Sequence, residues 1–195
     1  FVQEALQTTS ESSKTLAAEA AVALNVWMYF THMLHRTLDI CKDSELYKGD
    51  FSQTIDEAAA YWIGDAEIGL SERRGHLLYG LADQMNGRFE RYDDTSSSVN
   101  DHILDLFAKA KSQLLQPNAC APGSDTLARL HDTVNDIISQ AAALLVQALI
   151  HSLRTDDRDR VKLYSHAVVP LIAVCNPVEY EFFQAELLKA NYDAA

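Results

Sequence analysis

The chain has 195 residues, enough for one domain or two small ones with a sizeable core. Hydrophobic residues make up 48% and charged residues 23%, which excludes a disordered chain, and 7 Gly with 4 Pro disfavours a turn-rich β architecture. A net charge of −12 argues against nucleic-acid or anionic-membrane surfaces, because both would repel it.

Residues 1 to about 43 read as one long helix. Ala17, Ala18, Ala20, Ala21, Leu24 and Met28 recur at helical spacing, and the run from Leu16 to Leu34 is apolar almost all round. Its length invites a membrane reading, but Glu19, Asn25 and His32 interrupt it, so a buried central helix is expected. Asp43 to Gln53 is a connection. Ile55 to Ile63 is a short helix with Ala59, Trp62 and Ile63 on its apolar side. Gly64 to Ser71 reads as a loop, with Ser71 as the cap of the next helix. That helix buries Leu77, Leu78, Leu81 and Met85 and ends near Gly87.

Asp93 to Ser98 is a second polar connection, with Ser97 or Ser98 as a cap. The helix after it carries a stripe of Ile103, Leu104, Phe107, Ala108, Leu114 and Leu115. Gln116 to Gly123 (QPNACAPG) is the clearest break in the chain. A second long helix follows from about Ser124 to Arg154, then a charged turn, Thr155 to Arg160. Val161 to Cys175 is a helix carrying Pro170, and Asn176-Pro177 opens the last helix, to about Asn191.

The pattern predicts an all-α helical bundle: two long antiparallel helices at the centre and four to five shorter ones around them. It is taken as a single domain, 1–195. The match of Ala21-Val22-Ala23-Leu24 to Ala141-Ala142-Ala143-Leu144 suggests a duplicated three-helix unit, with halves 1–115 and 124–195.

Three cysteines, Cys41, Cys120 and Cys175, lie at or near segment ends and form no C-x-x-C. One disulfide joining Cys120 to Cys41 or to Cys175 would leave one thiol free and imply an oxidising compartment. The start at Phe1, inside a helical segment, suggests a processed chain or a piece of a larger one.

His32, His35 and Asp39 share one face of the first helix and are the candidate metal ligands, although further ligands would have to come from elsewhere. A bis-histidine haem site could be drawn from His32 with His151. The glycines between 64 and 87 match no nucleotide loop, and no G-x-S-x-G or paired-carboxylate site stands out, so the reading leans away from an enzyme. Trp27, Tyr29, Phe30, Tyr61, Trp62, Tyr79, Tyr180, Phe182 and Phe183 sit beside apolar helical residues. Core packing is their first account and a partner groove their second.

Three stretches together, AAAYWIG (Ala58 to Gly64), GHLLYGLADQMNGRF (Gly75 to Phe89) and AVVPLIAVCNPVEY (Ala167 to Tyr180), resemble helical, often repeated domains of predicted secreted or surface proteins of diatoms, brown algae and other stramenopiles. That resemblance implies secretion and a larger parent polypeptide, and it transfers no activity. Such domains often carry more cysteines near the glycine-containing helix, where Met85-Asn86 stands here. The function expected is that of a non-enzymatic extracellular or lumenal helical module. It would act in protein–protein interaction or structural assembly, with a protein partner or by self-association. No cofactor, nucleic acid or transmembrane span is expected. The alternative is a carrier of a metal ion or haem using the histidines of the first helix.

Overall fold

The computed structural model describes residues 11–43, 50–64, 77–89, 99–173 and 175–188. Of these, 85% are helical and none is in a strand, so the fold class is all-α. The elements are α1 (Glu11–Ala20), a π-helical segment (Ala21–Val26), α2 (Trp27–Lys42), α3 (Gln53–Ile63), α4 (Leu78–Phe89), α5 (Val99–Leu114), α6 (Asp125–Arg154), α7 (Arg158–Ala173) and α8 (Pro177–Leu187). The expected structure of residues 1–10, the cap at Ser71, the caps at Ser97 or Ser98 and the end at Asn191 lie outside the described residues.

Two compact units divide the chain: Val26–Ala141, and Phe1–Asn25 with Ala142–Ala195. The boundaries fall inside the two long helical runs and not at the Gln116–Gly123 break.

In the first unit, α2 and α3 run antiparallel. Thr37 meets Thr54, their hydroxyls 2.8 Å apart, while Phe30 meets Trp62 with ring centroids 5.6 Å apart. Phe30 is the hub of an aromatic cluster that also takes Trp27 at 5.9 Å and the edge of Phe107 at 6.2 Å. Leu34, Ile55, Leu78, Met85 and Ile103 of the same unit are also buried. Fully burying each such side chain contributes roughly 1.5–3 kcal/mol before the ordering entropy is subtracted.

The second unit is built from α1, the C-terminal part of α6, α7 and α8. Its core holds Ala17, Ala20, Leu144, Leu145, Ala148, Val161, Leu163 and Val168. Pro170 lies inside α7 on an exposed position.

Local chemistry sets the helix ends. Asp50 accepts from both the amide and the hydroxyl of Ser52 (2.8 Å each), fixing the turn into α3. Gly64 ends α3 at φ +67°, and a Cβ there would stand 2.7 Å from Leu77 Cγ, so both backbone and space require glycine. Ser124 accepts from the Leu127 amide at 3.1 Å, Asp157 from the Arg160 amide at 3.1 Å and Asn176 from the Glu179 amide at 3.3 Å. These are three side-chain caps opening α6, α7 and α8.

Several predicted faces turn out rotated. Met28 is 64% exposed, because the π segment ahead of it breaks the 3.6-residue period. Ala18 is exposed as well, on the side of α1 away from buried Ala17 and Ala20. In α3 the buried face is Thr54, Ile55, Ala58 and Trp62, so Ala59 and Ile63 are only half-buried. In α5, Leu106 and Ala110 take the buried places expected of Leu104 and Ala108, and Leu115 is 69% exposed past the helix end.

Among the described residues, α6 is the helix long and apolar enough to cross a membrane by length and composition. Its most apolar 18-residue window has mean hydropathy 1.4 and is 44% buried.

Candidate interaction surface

His32, His35 and Asp39 do share the outward stripe of α2, and all three are exposed. The helix rise separates His32 from Asp39 by about 10 Å along the axis, two turns of α2. Among the described residues no group of three His, Cys, Asp or Glu side chains is placed to hold a metal ion. His151, the second histidine of the haem alternative, is half-buried near the end of α6 in the other unit.

Of the two pairings open for Cys120, the structure contains Cys41–Cys120, with an S–S distance of 2.05 Å. It joins the last turn of α2 to the turn ahead of α6. Both sulfurs are buried, and Cys175 remains a free, exposed thiol.

The aromatic residues divide sharply. Trp27, Phe30 and Trp62 are core, whereas Tyr29 is 57% exposed and stacks on Tyr61 of α3, with ring centroids 5.8 Å apart and planes 21° from parallel. Met28 projects beside Tyr29 at 64% exposure. α2 therefore presents a ring and a thioether to solvent, the ring backed by half-buried Tyr61 of α3. Packing holds the backbone beneath: Trp27 and Phe30 of α2 and Ala58 and Trp62 of α3 are buried. Tyr and Met are enriched at protein interfaces, since each combines a large apolar area with a polar or polarisable tip. The sequence signal for Tyr29 was present, but the uniform apolar run around it masked which ring faces out.

The other unit carries a second apolar face. No residue of α8 is buried, and Val178 and Phe182, one turn apart, are 76% and 57% exposed. Phe182 meets Phe183 edge-on with centroids 5.6 Å apart.

The strongest electrostatic feature of that unit is Arg160. Its Nε and Nη2 donate to the two oxygens of Glu19 at 2.7 and 2.9 Å, and its Nη1 donates to Asp157 at 2.6 Å. The hydrogen bonds to Glu19 hold the guanidinium pKa further above its ordinary value, partial burial opposes this, and Asp157 adds to the rise. Both carboxylates are engaged by this fork, so the cluster ties α1 to the start of α7.

No family model, no curated protein and no solved structure matches the chain.

Proposed function

We propose that the chain is a helical module of an oxidising compartment, extracellular or lumenal, that works by protein–protein contact and not by catalysis. The observation that carries this reading is the exposed pair Met28 and Tyr29 of α2, with the Tyr29 ring stacked on half-buried Tyr61 of the neighbouring α3. Leaving them exposed forgoes burial free energy that a partner would supply. The buried Cys41–Cys120 disulfide supports the compartment. The resemblance to stramenopile surface-protein domains fits the same reading.

The test places a photo-reactive amino acid at position 28 of the protein in its native source. A discrete protein adduct is expected, and Tyr29→Asp or Tyr61→Asp abolishes it. The same probe at exposed Asp136 gives none. Equal labelling at both positions would sink the contact surface. A mass that is unchanged by reduction, with three free thiols in the native protein, would sink the compartment.

A further inference from the structure

The first unit contains a small pocket, about 300 Å³, that the contact reading does not use. Leu38 and Lys42 of α2 form one wall, and Leu127, Ala128 and His131 of α6 the other. The Cys41–Cys120 bond sits immediately beside both walls in sequence, one residue before Lys42 and three before Gly123, and so fixes their separation. The pocket is open to solvent on one side, and its size suits a small molecule.

The chemistry of the lining is specific. Leu38, Leu127 and Ala128 offer an apolar floor. Lys42 brings an ammonium with three donors. His131 Nδ1 lies 3.0 Å from the side-chain amide nitrogen of Asn135, which engages that side of the ring. In the tautomer that carries its proton on Nε2, the imidazole supplies a second donor. The first-turn amide of Leu127 is already bonded to Ser124, so recognition falls on the side chains. Asp125 also lines the pocket.

We propose that this pocket binds a small carboxylate on an aliphatic body of about four to six carbons, its carboxylate held by Lys42 and His131 and its chain by Leu38, Leu127 and Ala128. A short fatty acid and an aliphatic α-amino acid share that chemistry. Asp125 is placed to take the ammonium of the second.

The experiment is a titration of the intact, oxidised chain with hexanoate, leucine and hexanol, followed by amide and imidazole NMR signals. Saturable shifts at Leu127, Ala128 and His131 are expected with hexanoate or leucine, with hexanol at least about tenfold weaker for want of the charge-assisted bonds. Leucine binding more tightly than hexanoate, with the preference lost in Asp125→Asn, identifies the amino acid. The reverse order identifies the fatty acid. Lys42→Ala weakens either by about tenfold, and Leu127→Phe, which fills the floor, removes binding while far-UV circular dichroism stays unchanged. Three results would overturn the proposal: no saturable shift up to ~20 mM of either carboxylate, hexanol binding as tightly as hexanoate, or affinity unaffected by Lys42→Ala.

Discussion

Asn100 is 1% exposed and joins three helices through one amide. Its Oδ1 accepts from Trp62 Nε1 of α3 at 3.0 Å, and its Nδ2 donates to the Tyr79 carbonyl at 3.1 Å and to Asp83 at 2.6 Å, both in α4. Removing it strands the indole N–H in the aromatic core. Asn100→Ala should cost about 2–3 kcal/mol in urea unfolding, and much less in a Trp62→Phe background, where no donor is stranded. His166 acts through pH. Partial burial, then the charge of Lys162, lowers its pKa from the usual 6.5. The unfolded chain therefore takes up the proton first as pH falls. The contribution to stability is whole above the unfolded value and is lost below it, down through the folded one. His166→Gln should flatten the decline of the thermal midpoint between about pH 7.5 and 5. Neither residue announces itself in the sequence: an asparagine near a helix start reads as a cap, and a histidine on an amphipathic helix reads as surface.

Helices were easier to read than their faces. Ser124 to Arg154 was legible because its apolar positions repeat over a long run, and the break at Gln116 to Gly123 because proline and glycine cannot continue a helix. The rotation of Met28 out of the core was not legible, since it follows from the π segment and no residue in Ala21–Val26 demands that winding. Two cross-links between elements can be weighed. The cystine closes a loop with sequence separation 79, for which chain entropy gives about 4.5 kcal/mol. The Cys41→Ser, Cys120→Ser double variant should lose about 2–5 kcal/mol in denaturant unfolding, with native strain and residual structure setting where in that range. The Arg160–Glu19 fork joins residues 141 apart and is part-exposed, at 36% and 22% of the side chains. A double-mutant cycle of Arg160→Met and Glu19→Gln should return a coupling of about 1 kcal/mol, because solvent screens much of the pair.

For the whole molecule, composition gave the class and little of the site. Helical content follows from few Gly and Pro, and the acidic surface from 28 acids against 16 bases. The candidate contact surface depended on knowing which of many adjacent apolar positions face outward, and periodicity alone cannot decide this in a helix that is greasy all round. The pocket at Lys42 and His131 joins residues that lie 89 positions apart in the sequence, and only the cystine hinted that they meet.

That bond has a further outcome for the molecule as a covalent object. Every peptide link from residue 42 to residue 119 lies inside the ring it closes. A protease that nicks α3, α4, α5 or the stretches joining them yields two fragments still tethered as one species. On a gel such clipped protein should run as a single band until a reductant is added, and then separate into pieces whose masses report the scissile position.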